Sequence, residues 1–590
     1  EQIKNLVKKA KKWMILSKKK NEDKKIAIIY YNHPPGRHNI GADNLNVPTT
    51  LFEMLKSLKK QGYEVGNLPS SHEDLLDVLQ QKAVNLPNDK KALEEQSKNV
   101  EKLSLQEYKN YFETLPKHIQ GEMKKGPLEA LHIKVLEFLQ EESININSLQ
   151  KQKTYASLSD YVSKTMDNLH HALDGVRSKS RQRAINLLDQ LKVEYKTILE
   201  NAKENKKYSL KNANDLKNAI INLQIEGIKG WGELPGVVMT WNNELLIPSV
   251  KFGNIILAPQ PPRGWELNEE LLHANLSFPP THQYLAFYHY LKDKFKADAI
   301  VHVGRHSTYE FLPRKSVGLS ASDYPSLIIE DIPSIYPYIV DGVGEGIQAK
   351  RRGQAIMIDH LTPPLATTKL YDDLLKLRQL IESAEAAVDD NIRKNAIKNL
   401  KDSIEKMNLK NEIIASMDEE LKVRGIGFDE VDDEFLLHEV GHYLTHLQEE
   451  FMPLGLHTFG KDWNNEAIET MLESMSKEDF LSQETKENLV ASPKAEMNSF
   501  INALKGGFVT AGKGNDPIRT NEALPTGRNF YAIDGGLIPS NVGYEVGVKL
   551  ALKAKQKKKE FLKKEAVILW ASDTVRDEGA MIAFGLELLG

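Results

Sequence analysis

The 590-residue sequence contains no cysteine. That absence excludes disulfides, thiolate nucleophiles and cysteine-held zinc or iron–sulfur centres, so any metal must meet imidazole, carboxylate or carbonyl groups. No apolar run approaches the ~20 residues that cross a bilayer, and the N-terminus lacks the apolar core of a secretory signal. The expected compartment is cytoplasmic, with membrane association or a periplasmic face left to other parts of a longer protein. Charge of one sign is also missing: 78 basic side chains stand against 82 acidic ones, so whole-molecule charge gives no argument for nucleic acid. The chain opens on Glu1 rather than Met and stops at Gly590 in an apolar helical pattern, as expected of a piece of something longer. With 41% hydrophobic residues, what is there can build several ordinary cores.

Chemistry is most concentrated in ADAIVHVGRHSTYEFLPRKSVGLS, residues 297–320. A buried-strand run, AIVHV, empties into a polar turn, and a short helix-like segment carries Glu310. His302, Arg305, His306 and Glu310 fall within nine residues, a set able to bind a metal, move protons and hold an anion. The bland alternative is a capping box, since Ser307 and Glu310 have the S-x-x-E spacing in which the Glu bonds back to the cap's own N–H. A capping box needs neither histidine.

The remaining chain reads as α/β and multidomain, with parallel-sheet βαβ units and a large helical insertion. Residues 1–25 carry ten lysines around Trp13 and read as a solvated first helix. IAIIYY is a buried strand, and Pro48 opens a helix with Leu51, Met54, Leu55 and Leu58 at helical spacing, so 1–69 forms a first α/β unit. His33, Arg37 and His38 then lie at the carboxyl end of a parallel strand, where open α/β sheets bind ligands. Residues 70–224 read as a helical arm. Residues 225–365 form an α/β domain with strands in VVMTW and FGNIILAPQ, an amphipathic helix in HQYLAFYHYLKDKF, and the motif above. Residues 366–453 are helical, and 454–590 are glycine-rich loops followed by a helix, a last strand AVILWA and a final helical segment.

Three further patterns carry chemistry. Lys350, Arg351 and Arg352 form either a solvated face or a carboxylate-binding patch, because guanidinium forks pair with carboxylates. GFVTAGK imitates a phosphate-binding loop, but Gly514 stands where a magnesium-binding Ser or Thr is needed, so no ATP site is expected in this chain. His438, Glu439 and His442 form an HExxH motif, which on a helix would hold zinc with Glu439 as base. That makes a zinc peptidase the competing enzyme class.

In order along the chain, IAIIYYNHPPGRHNIGADNLNVPTTLFEML, FGNIILAPQPPRG, PPTHQYLAFYHYL, ADAIVHVGRHSTYEFLPRKSVGLS, AKRRGQAIMIDHLTPP, GLHTFG and GNDPIRTNEALPTGRNFYAIDGGLIPS resemble the large subunit of cobaltochelatase and the tetrapyrrole-binding subunit of magnesium chelatase. The arm matches poorly. Where the family has H-x-G-T-H-G-T-x-E-W-L-P-G-K, this chain has Arg305, Ser307, Phe311 and Arg314 in place of Thr, Gly, Trp and the last Gly, a pattern similar to a branch that removes iron from haem. The resemblance implies Glu310 as proton donor or acceptor at the macrocycle face and His302 and His306 as metal-handling imidazoles, with His438 and His442 the alternative metal pair. It further implies Arg305, Lys350, Arg351 and Arg352 on macrocycle carboxylates, and His33, Arg37, His38, Trp265 and His282 in the tetrapyrrole site. A haem or corrin precursor would be the substrate and iron or cobalt the metal. ATPase subunits are the partners expected for insertion, and a nicotinamide reductant is expected for removal. A carrier without turnover is the non-enzymatic alternative.

Overall fold

The computed structural model describes residues 2–590 apart from 33–39, 43, 87–89, 142–147, 175–179, 226–227, 264–277, 305–308, 365–376, 378–379, 382–389, 408, 412, 415–430, 432, 434–435, 438, 442, 444–453, 476–481, 519, 532–537, 558–566, 570–573 and 575–576. Its centre is a sheet of six strands: β1 (Ile26–Tyr30), β2 (Val250–Phe252), β3 (Ile255–Pro259), β4 (Ala299–Val303), β5 (Ser334–Ile339) and β6 (Ile356–His360). The spatial order is β2-β3-β1-β4-β5-β6, with only the edge strand β2 antiparallel.

β1, β3 and β4 consist of Ile, Val, Leu and Ala apart from Tyr30, Pro259 and His302 and are buried at every position, as expected of strands covered on both faces. Alternation divides them between two cores. Ala27, Ile29, Ile256, Ala258, Ile300, Tyr336 and Met357 face one way. Ile28, Tyr30, Leu257, Val301, Val303, Ile335 and Ile358 face the other. Each fully buried Ile or Val contributes roughly 1.5–3 kcal/mol.

On the second face lies α1 (Val47–Lys60), capped by the Asn46 side chain and burying Leu51, Met54, Leu55 and Leu58. On the first lies α2 (His282–His289), capped by Thr281. This helix differs from the expected amphipathic one, because every residue from His282 to Tyr288 is buried. A π-helical turn, Tyr290–Lys294, continues it and delivers the chain into β4. Two further helices bear on the site: α3 (Val343–Gly353) and α4 (Gln483–Leu504).

The stretches 1–69 and 225–365 share this one sheet, since β1 is hydrogen-bonded between β3 and β4. The arm has its own core, built by the helices Pro127–Glu141, Ser148–Asp174, Arg181–Lys203 and Lys211–Ile221. It is not purely helical, because Glu101–Ser104 is a strand paired antiparallel with Glu244–Ile247. The glycine-rich stretch contains α4, 22 residues long despite Pro493. Of AVILWA, Val567–Leu569 lie outside any strand and the rest outside the described residues.

The chain divides into two compact units. One comprises residues 1–362, 458–463 and 478–590; the other comprises 363–457 and 464–477, with a core including Leu377, Ile397, Leu400, Leu436, Leu437 and Val440. No described helix is long and apolar enough to cross a membrane.

Candidate metal-exchange site

The carboxyl ends of β4, β5 and β6 bring polar side chains into the first core. His302 is the fourth residue of β4, aligned with Ile29 of β1, and is completely buried. The Tyr309 and Tyr336 rings lie against it, with centroids 5.1 and 5.5 Å away. The Tyr288 hydroxyl lies 2.9 Å from its Nε2, while Nδ1 has no hydrogen-bond partner among the described residues. Burial pushes its pKa down to about 3, so the ring stays neutral through the physiological range.

After β4 the chain turns at Gly304, whose φ of +92° and 2.1 Å clearance to the Ala42 Cβ leave no room for a side chain. The expected helix-like segment is a single 3-10 turn, Tyr309–Phe311. Within it, Glu310 is completely buried and accepts a hydrogen bond from the Tyr336 hydroxyl at 2.9 Å. Burial raises its pKa to about 7, and the Glu345 charge pushes the same way, against backbone and Tyr336 hydrogen bonds and the Arg263 charge. Glu310 can therefore give or take a proton near neutrality. Tyr336 links the two groups, touching the His302 ring and bonding Glu310.

Arg352 has another task than gripping a ligand. Buried at 4% exposure, it donates to the carbonyls of Glu310, Leu312, Pro313 and Lys315, and so clamps the turn that carries Glu310. Its donors are engaged, which corrects the expectation of a free carboxylate fork. Lys350 donates to the Phe530 carbonyl at 2.6 Å, leaving Arg351 as the exposed member of the triplet. His282 is likewise committed, since its Nδ1 lies 3.0 Å from the Tyr108 hydroxyl and its Nε2 3.1 Å from the Gly232 carbonyl. Burial lowers its pKa to about 4, and it acts as a satisfied core histidine rather than a surface for a macrocycle.

Arg305, His306, His33, Arg37, His38, Trp265, His438 and His442 lie outside the described residues. Among the described residues, no three His, Asp or Glu side chains converge to hold a metal. The GFVTAGK imitation contains a short strand, Ala511–Lys513, and Lys513 pairs with Glu522 at 2.8 Å.

Arg314 sits in the left-handed region at φ +85°, favourable to glycine. Its guanidinium pairs with the buried Glu122 carboxylate at 2.5 Å and covers the Tyr324 ring. The positive charge is thus compensated inside the protein.

Sequence reading missed several residues here. Tyr288, Gln260, Tyr309 and Tyr336 look like ordinary core aromatics and amides until the fold gathers them around His302. Asp359 is completely buried in β6 beside Tyr338 of β5; it accepts from the Arg528 N–H at 2.7 Å, and its other oxygen has no partner among the described residues. Burial first, and the Glu496 carboxylate next, raise its pKa to about 8. The one signal was a charged residue closing an apolar strand.

Comparison with known proteins gives this geometry a family. The model described as CobN/Magnesium Chelatase matches residues 1–151, 154–487 and 477–590. The chain belongs to the CobN/magnesium chelatase family. An uncharacterized protein of Methanocaldococcus jannaschii is 27% identical over 98% of this chain and 44% of its own length. A magnesium-chelatase subunit of Rhodobacter capsulatus is 29% identical over 61% of this chain and 28% of its own. The aerobic cobaltochelatase protein CobN of Pseudomonas aeruginosa is 27% identical over 61% and 36%. The catalytic subunit of cobaltochelatase from Mycobacterium tuberculosis has the same fold, with a TM-score of 0.57 over 99% of this chain and 46% of that one, at 21% identity. This CobN/magnesium chelatase chain spans less than half the length of these relatives.

Proposed function

We propose that this chain carries the proton and metal station of an enzyme that exchanges a metal ion with a tetrapyrrole. The observation that carries the reading is Glu310, a completely buried carboxyl poised near pH 7 and joined through Tyr336 to a neutral, buried His302. Insertion must take two protons from the pyrrole nitrogens and removal must return two, so a carboxyl populated in both forms serves either direction. His302 supplies a neutral imidazole to the ion in transit, suited to iron, cobalt or zinc and poorer for magnesium. Metal and macrocycle are substrates here, and the family membership makes a tetrapyrrole the natural one. Arg351, Arg305 and Arg37 are candidates for its carboxylates.

Release of iron from haem is the direction favoured by Arg305, which adds charge where relatives resembling this chain have a small neutral residue. A reductant of the nicotinamide class, which gives two electrons, would convert two ferric ions to ferrous, one electron each, before iron leaves. Cobalt insertion into a corrin precursor is the second reading. It is favoured by the Arg314–Glu122 pair, which removes Arg314 from the charge argument, and it would call on an ATPase partner. The deciding experiment incubates the protein anaerobically with haem, with and without nicotinamide reductant, and follows metal-free porphyrin fluorescence. No fluorescence, together with cobalt insertion when an ATPase is supplied, reverses the direction. Tetrapyrrole binding without turnover in either arm would leave only a carrier. Casein cleavage lost in His438→Ala would instead support a zinc peptidase.

A further inference from the structure

The ring of His302 belongs to a short chain of hydrogen bonds whose directions can be worked out. Gln260 follows β3. Its backbone is held on both sides, its N–H donating to the Tyr30 carbonyl at 2.7 Å and its carbonyl accepting from Asn85 Nδ2 at 2.6 Å. Its side-chain Nε2 donates to the Tyr284 hydroxyl at 2.7 Å, so Oε1 is the atom facing Tyr288, 3.1 Å away. An amide oxygen only accepts, so Tyr288 must spend its single proton on Gln260. The Tyr288 oxygen is then an acceptor for its other neighbour, Nε2 of His302 at 2.9 Å. Nε2 carries the ring proton, and Nδ1 is left with a bare lone pair.

A second argument reaches the same end without the orientation of Gln260. Nδ1 is buried and, among the described residues, without a hydrogen-bond partner. A buried N–H with no acceptor is rarer and more costly than an acceptor with a spare lone pair, so the proton belongs on Nε2. The Tyr309 and Tyr336 rings pack against the imidazole, the first edge-on.

We propose that Tyr288 and Gln260 are positioning residues that fix the tautomer of His302, making Nδ1 the atom that ligates the metal in transit. The assignment of Nδ1 as metal ligand rests on the proposed function, whereas the tautomer does not. Partners that orient a ligating imidazole typically change metal affinity 10–100-fold when removed.

The test is 15N NMR of the whole chain labelled at histidine, with the His302 signals assigned by their loss in His302→Gln. Expected are a protonated, pyrrole-type Nε2 and an unprotonated, pyridine-type Nδ1 in a single state. In Tyr288→Phe, folding being checked by circular dichroism, the Nε2 resonance should move or split. A protonated Nδ1 in the unmodified chain overturns the proposal, as does a His302 signal unchanged in Tyr288→Phe. Because the first measurement needs no variant, misfolding of Tyr288→Phe leaves the question decidable. Titration with Co2+ then reads the ligand role: affinity should fall at least tenfold in Tyr288→Phe and in Gln260→Leu. The expected tautomer with Co2+ bound equally by the unmodified chain and His302→Gln would sink the metal role while the tautomer stands.

Discussion

At the scale of residues, the proposed chemistry depends on what burial does to two groups. The carboxyl of Glu310 is raised to about 7 and the imidazole of His302 lowered to about 3, so the first switches near neutrality and the second does not. Glu310→Gln keeps the shape of the side chain and abolishes proton exchange. Turnover is expected to fall by roughly 10²–10⁴-fold with tetrapyrrole binding retained, measured by absorption spectroscopy. In the unmodified protein the pH–rate profile should bend near 7, and a flat profile from 6 to 8 would remove Glu310 as the proton carrier. Arg314 illustrates a substitution whose meaning changes with its partners. By sequence it adds charge to the motif; folded, it answers Glu122. Arg314→Ala leaves that carboxylate buried and unpaired, for a loss of about 3 kcal/mol in denaturant unfolding, and Arg314→Ala with Glu122→Gln should recover most of it.

At the scale of elements, the turn after β4 is short and is held from outside. Its backbone carbonyls from Glu310 to Lys315 are gathered by one side chain from α3, Arg352, and Gly353 gives the Tyr309 ring its place, 2.1 Å from where a Cβ would stand. Arg352→Lys keeps the charge and loses the planar fork. Hydrogen exchange at residues 309–315 should then rise while that of α3 is unchanged, and equal protection in both proteins would count against the clamp. Helix periodicity located α1 from Leu51, Met54, Leu55 and Leu58. It misjudged α2, because an enclosed helix has no polar face to mark its period. A capping box at Ser307 lies outside the described residues; Glu310 stands in the first turn of the 3-10 segment and accepts from Tyr336.

At the scale of the whole molecule, two raised carboxyls tie stability to pH. Asp359 is held at about 8 and Glu310 at about 7, against ordinary values of 3.8 and 4.5. Between the unfolded and folded values the native state binds more protons, so these groups make the protein less stable as pH rises from about 5 to 8. Each contributes a slope of roughly 1 kcal/mol per pH unit within its window. Below about pH 6.5 the neutral, buried imidazoles of His302 and His282 act the other way, because the unfolded state then binds more protons. Thermal unfolding should therefore show Tm falling from about pH 7 to 8, where Asp359 alone still binds a proton on folding, and Asp359→Asn should flatten the fall. A Tm that rises over about pH 7 to 8, or the same fall in Asp359→Asn, would contradict a protonated, buried Asp359.

The sequence by itself determined the strands β1 and β4, because IAIIY and AIVHV are almost wholly apolar at consecutive positions, as suits a strand covered on both faces. It also marked His302 and Glu310, since a strand that empties into a polar turn delivers its chemistry to the carboxyl edge of a sheet. What only the tertiary structure decided is which neighbours those groups have. Tyr288 reaches His302 from α2 and is itself met by Gln260, which follows β3; Tyr336 reaches Glu310 from β5, and Arg352 spends its donors on backbone carbonyls. These partners are brought together by strand order, and proton affinity and charge are set by such neighbours and by burial, neither of which is written in spacing along the chain.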